Sequence, residues 1–566
     1  MNERVFRTSL LAVATLAIVS NSVCAQGAPQ AAARLARALA APRVAELRAD
    51  VQFLADDLLG GRAPGTPGGE IAARFIASRF QALGLEPAGD DGTYFQRFGL
   101  VALEPRASFV VGGQGSTTSL EPETDFVAWS ERSEEATTVD GDLVFVGYGI
   151  DAPEWGWDDY KDVAVAGRIL VFLVGDPGRE DTTRFRGKRP TYYGSVAYKL
   201  QQAARVGARG AVLIHRDGDS PMSWHATVHT WGGERVRPPA PATTTLRVAA
   251  WITEDAISRI TETAGRNFDL LVRRAAQPSF QPIPLGAHGV ISIRNRIRET
   301  SSANVIALLR GADSLATRDV VVVSAHYDHL GIGIAEGTDS VYNGAEDNAS
   351  GSAALLGVAR GLVAGDGGPR RSVIFLATTA TESGRLGADE FVRRTAIPAE
   401  RMVAVVNIDR ANLRGRVHDV MGLGADESTL QDFLRQAAAA DGRTVTAPPL
   451  GAVAEVYHLD PLPFAIAGIP GLTLRAGYSY RDRAESWGAE READYLANRF
   501  HHPSDAVEQE TRYDGLHDQV QMAIRLVWGL AMADSYPKWK PDAEFRAAGD
   551  RLELRRLRAA PPRRTP

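Results

Sequence analysis

The sequence predicts an α/β protein whose central sheet is covered by helices and which carries a β-rich inserted unit. First, near-continuous apolar runs such as "DVVVVSAH", "SVIFLATTA" and "MVAVVNI" are typical of buried strands. Second, helical segments such as "SGSAALLGVARGLVAG" alternate with these runs, which favours a sheet covered on both faces. Third, residues from about 138 to 285 consist of short apolar runs broken by Gly- and Pro-rich turns.

The N-terminal segment 1–25 has the features of a secretory signal peptide. Arg4 and Arg7 precede an apolar core, and small residues favour cleavage after Ala25. The alternative is a membrane anchor, but the apolar stretch is short and no later segment is predicted to span a bilayer. We therefore expect a secreted or periplasmic protein. Because Cys24 is the chain's one cysteine, the mature protein would have to bind any metal through His, Asp and Glu.

The next elements begin the larger domain. Residues 26–42 are Ala-rich and are predicted to be a loose leader, and 44–54 have helical spacing of apolar side chains. The turn-rich "GGRAPGTPGG" separates this helix from a second amphipathic helix, "EIAARFIASRFQALGL". We predict an N-terminal part of the main domain over 26–137, an inserted domain over 138–285, the rest of the main domain over 286–540 and an Arg/Pro-rich tail over 541–566.

Composition excludes some classes of partner. A net charge of −6, without a sustained basic stripe before the tail, argues against nucleic-acid binding. With 44% hydrophobic and 23% charged residues, the composition is that of an ordinary globular protein. It does not determine the oligomeric state.

Polar side chains follow each of the predicted buried strands of the main domain. Since strand ends of an α/β sheet share an edge, these side chains can converge. Two imidazoles and three carboxylates could hold two divalent ions if one carboxylate bridges, and such ligands suit zinc. The candidates are His326, Asp328, Asp347, Asn348, Glu382, Asp409, His501, His502 and Asp505.

The chain resembles the family of zinc aminopeptidases that includes bacterial leucyl aminopeptidase, glutamate carboxypeptidase II and the transferrin receptor. The matching stretches are "AHYDHLG", "YNGAEDNASGSAALL", "TESGRLGADEF", "VVNID" and "FHHPSD". "VFVGYGIDAPEWGWDDY" and "YKLQQAARVGARGAVLI" resemble the protease-associated domain inserted in part of that family. The resemblance implies a mixed central sheet, peptide substrates and a pair of zinc ions.

By that resemblance, His326 and Asp409 would bind one zinc ion, and Glu382 and His501 the other. Asp347 would bridge the two ions, with a cis peptide bond to Asn348. Asp328 would orient His326 without binding metal. His502 takes a position that is commonly threonine in the family and is expected to be a neighbour of the ligands rather than a ligand. The histidines of the insert, His215, His225 and His229, are expected to be surface or pocket-wall residues rather than zinc ligands.

One position departs from the family pattern. At the positions of Thr381 and Glu382, in "TES", the family has two adjacent glutamates. The first accepts a proton from water and the second binds zinc. Here Glu382 takes the ligand position and Thr381 the base position, where threonine cannot accept a proton near neutral pH. Since general-base assistance typically contributes ~10²–10⁴-fold, we expect weakened hydrolysis.

Three other residues could replace the missing base: Glu346, Glu455 and His458. Arg410, next to Asp409, should be repelled by two cations unless it turns outward or pairs with a carboxylate. The leading interpretation is a secreted zinc aminopeptidase. The alternatives are a catalytically silent binding protein and a glutaminyl-cyclase-like transferase on the same scaffold.

Overall fold

The computed structural model describes residues 29–113, 115–161, 163–220, 222–239, 245–314 and 316–559. The predicted signal segment 1–25 lies outside these ranges. In the described part, no helix combines the length and apolar character needed to cross a bilayer.

The helices include much of both predicted domains. They are α1 (29–40), α2 (Val44–Leu54), α3 (Pro67–Ala82), α4 (Val196–Arg205), α5 (Trp224–Gly232), α6 (Glu254–Thr263), α7 (Phe268–Ala275), α8 (Ser350–Ala364), α9 (Leu386–Arg394), α10 (Leu430–Ala439), α11 (Leu450–Glu455), α12 (Pro461–Ile466), α13 (Trp487–Asn498), α14 (Tyr513–Met532) and α15 (Arg546–Ala559).

The strands vary widely in length. They are β1 (Glu86–Pro87), β2 (Phe95–Gly113), β3 (Ser116–Leu120), β4 (Phe126–Ser130), β5 (Ala136–Phe145), β6 (Asp151–Ala152), β7 (Trp157–Asp158), β8 (Ile169–Leu173), β9 (Gly210–His215), β10 (Arg235–Arg237), β11 (Val248–Thr253), β12 (Ile283–Leu309), β13 (Val320–His326), β14 (Gly331–Glu336), β15 (Asp339–Tyr342), β16 (Ser372–Thr378), β17 (Met402–Ile408), β18 (Asp419–Leu423), β19 (Thr444–Val445) and β20 (Gly471–Ala476).

The main domain is built on the mixed sheet β19-β18-β20-β17-β13-β16-β12. Strands β16, β13, β17 and β20 are parallel, and the outer neighbours β12 and β18 are antiparallel. Every residue of β13, β16 and β17 is buried, because helices α2, α3, α8 and α14 cover one face and α9, α12 and α15 the other. The predicted α/β class with a covered mixed sheet is confirmed.

A second body extends the same sheet through β12-β5-β8-β9-β11-β4. Its hydrophobic clusters combine residues of the predicted insert with Phe109, Val111, Leu120 and Phe126, which precede residue 138. The 27-residue strand β12 belongs to both bodies: it pairs with β5 through its N-terminal half and with β16 through its C-terminal end. Strand β2 accompanies it from His288 to Val305 as an antiparallel partner. We call this pair the β2–β12 ribbon.

Both chain ends of the described region are better ordered than their composition suggests. Residues 29–40 of the predicted loose leader are helical, and Ala38 is buried in the main core. Helix α15 occupies part of the predicted Arg/Pro-rich tail, with Leu552 completely buried beside the sheet. Single apolar side chains therefore anchor segments that otherwise have a surface composition.

Candidate active site

Polar side chains at the ends of three parallel strands lie at one edge of the main sheet. His326 is the last residue of β13, Glu382 follows β16, and Asp409 follows β17 directly. Residues in register on these strands, such as His326 and Thr378, are hydrogen-bonding neighbours. The carboxyl ends of the three strands therefore meet, as in other open α/β sheets.

Two further donors come from loops. Asp347 precedes α8, and its peptide bond to Asn348 is cis, as the resemblance predicts. His501 lies between α13 and α14. The Asp505 carboxylate accepts the backbone N–H groups of Glu346 and Asp347, each at 3.0 Å, and thereby fixes one loop against the other.

The Asp347 carboxylate lies between the two imidazoles. One oxygen is 3.3 Å from Nε2 of His326, and the other is 3.3 Å from Nε2 of His501. On the outer sides, Asp409 lies 3.4 Å from His326, and Glu382 lies 3.3 Å from His501. The structure thus brings the five predicted metal ligands together, in two pairs that share Asp347.

Both histidines direct Nε2 toward the carboxylates. Nδ1 of His326 donates to the backbone carbonyl of Asp328 at 3.1 Å. The Thr230 hydroxyl donates to Ala226 O at 2.6 Å, so it accepts from Nδ1 of His501 at 2.5 Å. With a proton fixed on each Nδ1, each Nε2 can offer an electron pair to a cation.

The carboxylates make this edge attractive to cations. Burial disfavours charge on His326, but Asp347 and Asp409 outweigh it and hold the His326 pKa well above its ordinary value. Burial also opposes charge on His501, yet Glu382 and Asp347 raise its pKa to about 9. The same negative field would favour a divalent ion at these nitrogens.

The five residues fit a pair of zinc ions. They are imidazole and carboxylate donors, the types that zinc prefers. Nε2 of His501 is buried, and among the described residues it has no partner at hydrogen-bonding geometry. His326, Asp347 and Glu382 also place one donor atom each within 4.8 Å of one another. Which residue binds which ion stays a prediction.

Asp328 contacts His326 through its backbone. Its backbone carbonyl, not its carboxylate, contacts His326, and Oδ1 of the carboxyl group lies 3.9 Å from Nδ1 of that ring. The carboxyl group is completely buried, and burial raises its pKa to about 7. The backbone carbonyl of Asp328 therefore orients the imidazole.

Thr381 lines the cavity beside Glu382, and a carboxylate stands directly behind it. Its hydroxyl donates to Oδ1 of Asp460 at 3.0 Å. The Thr378 hydroxyl donates to the other oxygen of Asp460. Asp460 itself is buried, and burial raises its pKa above the ordinary range.

The three predicted substitute bases have other surroundings. Glu346 contacts Arg414 at 2.5 Å, away from the cavity that contains the five donors. Glu455 reaches that cavity but is bound by Arg410 and Arg475, each at 2.9 Å. His458 also borders it, but burial lowers its pKa to about 4.

Arg410 pairs with carboxylates, which is one of the two arrangements predicted for a cation next to the metal site. Its guanidinium contacts Glu455 at 2.9 Å and Glu492 at 3.3 Å, and its side chain is almost completely buried. The positive charge is thus neutralised by two carboxylates.

A cavity of about 420 Å³ lies over the five donors. Its floor belongs to the main domain, while Trp129, Trp231 and Val236 of the second body form part of its wall. A volume near the lower end of ligand pockets suits a small group or the end of a chain rather than a folded protein.

Sequence reasoning missed two residues that shape the site. Thr230 orients His501 from helix α5 of the second body, about 270 residues away in sequence. Arg62, completely buried, donates to backbone carbonyls of Tyr327 and Gly344 on the two ligand loops. The one sequence signal for Arg62 is its position as the charged residue of the turn-rich "GGRAPG".

Comparison with known proteins finds partial relatives and a similar fold. Aminopeptidase NAALADL1 of Mus musculus is 33% identical over 140 residues, 23% of this chain, and the Rattus norvegicus protein is 32% identical over the same length. Each match spans only 17% of the relative. The solved aminopeptidase from Aneurinibacillus sp. strain AM-1 is similar in fold, with a TM-score of 0.53 and 17% identity, covering 89% of this chain and 98% of that one.

The part of the chain that holds the site matches a known family. Residues 304–527, which contain all five donors, match the model of Peptidase family M28. The chain therefore carries an M28 peptidase domain, and the resemblance to the zinc aminopeptidase and glutamate carboxypeptidase family is confirmed.

Proposed function

We propose that the protein is a di-zinc exopeptidase that releases residues from peptide N-termini. The observation that carries the proposal is the Asp347 carboxylate, with one oxygen 3.3 Å from His326 and the other 3.3 Å from His501. A bridging carboxylate between two imidazole–carboxylate pairs suits two divalent ions. We also propose export directed by segment 1–25, which lies outside the described residues.

His326 and Asp409 would hold one ion, Glu382 and His501 the other, and Asp347 both. When bound, the ions would supply Lewis-acid polarisation of the substrate carbonyl and activation of water. The wall formed by the second body supports an exopeptidase, because it leaves room over the donors for a chain end.

Thr381 and Asp460 together supply a longer route for the proton that a single glutamate would accept. The attacking water would pass its proton to the Thr381 hydroxyl as that hydroxyl passes its own proton to Oδ1 of Asp460. The 3.0 Å hydrogen bond supports this relay, because it already points the Thr381 proton at the carboxylate. Two coupled transfers should be less effective than one, so the proposal keeps the expectation of weakened hydrolysis.

The test measures zinc content and the release of nitroaniline from a panel of aminoacyl-nitroanilides, for the parent and for Glu382→Ala. We expect hydrolysis by the parent, with both metal content and rate reduced in Glu382→Ala. Arg481→Ala, on the surface loop that follows β20, is the matched control and should retain both.

Two outcomes would replace the proposal. Full zinc content with no hydrolysis of any substrate would identify a binding protein. Cyclisation of N-terminal glutamine without nitroaniline release would identify a transferase.

A further inference from the structure

A second cluster of metal-binding side chains lies between the two bodies, next to the site already described. His225 and His229 stand one turn apart on helix α5 of the second body. Glu336 ends strand β14 of the main domain, and His502 follows His501. One donor atom each from His225, His229 and Glu336 lies within 4.8 Å of the others.

The spacing of these donors matches a single metal ion. Nε2 of His225 and Nε2 of His229 are 3.3 Å apart, and Oε1 of Glu336 is 3.6 Å from the latter. Tetrahedral zinc with bonds of about 2.0–2.1 Å separates neighbouring ligand atoms by about 3.3 Å. Oε1 of Glu336 is 3.8 Å from the nearer nitrogen of His225, Nδ1. The donors of the peptidase site have somewhat shorter separations, 3.3–3.4 Å.

Hydrogen bonds determine which nitrogen of His229 carries the proton. The Tyr342 hydroxyl donates to Ile334 O at 2.8 Å, so it must accept from Nδ1 of His229, which it also contacts. Nε2 of His229 therefore has no proton of its own and presents an electron pair.

A second chain of contacts determines the proton on His225. Nδ1 of His502 lies 2.9 Å from Oε1 of Glu336, a separation that requires a proton on that nitrogen, because two electron pairs would repel. Nε2 of His502 then accepts from Nδ1 of His225 at 3.2 Å. Nε2 of His225 therefore has no proton, and it lies 3.3 Å from Nε2 of His229, which has none either.

Two imidazole nitrogens without protons and the Glu336 carboxylate thus lie close together. Oε1 of Glu336 is shielded from solvent, and the proton on Nδ1 of His502 engages one of its electron pairs, which leaves another for a cation. A cation among these atoms would relieve the repulsion between their electron pairs and the carboxylate. Tyr342 and His502 would orient the imidazoles from behind, as partners of metal-bound histidines do.

We propose that His225, His229 and Glu336 bind a third divalent transition-metal ion, of the zinc type, which joins helix α5 to the main domain. Imidazole and carboxylate donors suit such ions better than Ca²⁺ or Mg²⁺. The ion would hold α5 where Thr230 meets His501, one residue from His502. This proposal differs from the sequence prediction that His225 and His229 are surface or pocket-wall residues.

The experiment compares the full-length protein with His225→Ala after saturation with Zn²⁺ and dialysis, using elemental analysis. We expect the variant to hold one zinc ion fewer per chain. His225 is 53% exposed, so its replacement should not prevent folding. The matched control is His288→Ala, 49% exposed and placed between Asp140 and Asp142, which should bind as much zinc as the parent.

The experiment measures the difference in zinc content between the parent and His225→Ala. Its outcome can therefore be distinguished from a failure of the proposed peptidase function. Glu382→Ala should lose metal from the peptidase site and still lose one further ion when His225→Ala is added. Equal zinc in parent and His225→Ala would overturn the third site and leave a shared proton as the cation. If His225→Ala fails to fold, Glu336→Gln, on the other body, carries the same expectation, and zinc content equal to the parent's would overturn the proposal.

Discussion

Thr381 is the residue that decides how the proposed reaction handles its proton. A hydroxyl can pass a proton on but cannot keep one near neutral pH. In this protein the group that can keep it, Asp460, is one hydrogen bond further from the cavity. The rate of the parent should therefore respond to changes at both positions.

Replacing Thr381 by glutamate tests the direct base. Thr381→Glu should raise kcat for an aminoacyl-nitroanilide by up to ~10²–10⁴-fold, the usual contribution of a positioned general base. Thr381→Gln has the same size but no proton acceptor and should not gain. Steady-state kinetics of the three proteins would contradict the idea if parent and Thr381→Glu were equally fast.

Replacing Asp460 tests the relay. Asp460→Asn should lower kcat with little change in KM and abolish the acidic limb of the pH–rate profile, because the proton would have no acceptor. Adding Thr381→Glu to Asp460→Asn should restore activity. Thr378→Val, which removes the other hydroxyl on Asp460 and leaves the relay, is the control. An unchanged pH profile in Asp460→Asn would exclude the relay.

At the scale of elements, helix α5 connects the second body to the catalytic edge. Thr230→Val keeps the side-chain shape but removes the acceptor for Nδ1 of His501. Loss of such a partner typically costs ~10–100-fold in metal affinity or activity. The control is Thr227→Val on the same helix, whose hydroxyl donates to Ser223 O. Zinc titrations that give both variants the parent's affinity would argue against this role.

Helix α4 carries a completely buried lysine that should make stability depend on pH. Burial lowers the Lys199 pKa to about 7 from its ordinary 10.5. Between these values the unfolded chain holds a proton that the folded chain has lost, so raising the pH favours folding. The free energy of unfolding of the parent should rise relative to Lys199→Met by up to about 1.4 kcal/mol per pH unit above pH 7.

Denaturant unfolding of parent and Lys199→Met from pH 7 to 10 measures this slope. Exposed Lys188→Met should follow the parent throughout. Parallel curves for parent and Lys199→Met would show that the lysine stays charged in the fold.

The strands and their ends were predictable, and the contacts between bodies were not. Apolar runs such as 320–325 identify central strands because both faces of the sheet are buried, and the polar residue after each run marks the shared edge. Thr230, in contrast, follows no such run. Its role arises because α5 packs against a loop about 270 residues later, a tertiary contact that local pattern cannot show.

For the whole molecule, removal of metal should weaken the fold, because the donors come from separate strands and loops. A ligand at 1,000 times its Kd stabilises the folded state by about 4 kcal/mol per site. Scanning calorimetry should therefore show a lower Tm after chelation of the parent, and a smaller decrease for Glu382→Ala. An unchanged Tm of the parent after removal of its zinc would show that metal binding and folding are not linked.

The β2–β12 ribbon also limits how this chain can change during evolution. Most inserted domains are connected by two peptide linkers, and the lengths of these linkers can change independently during evolution. Here the connection is a pair of hydrogen-bonded strands with buried and exposed side chains in alternation along β12. A single-residue insertion in one strand would turn every following side chain to the opposite face. We expect the lengths of the two strands to change only together and by two residues at a time among descendants of this sequence.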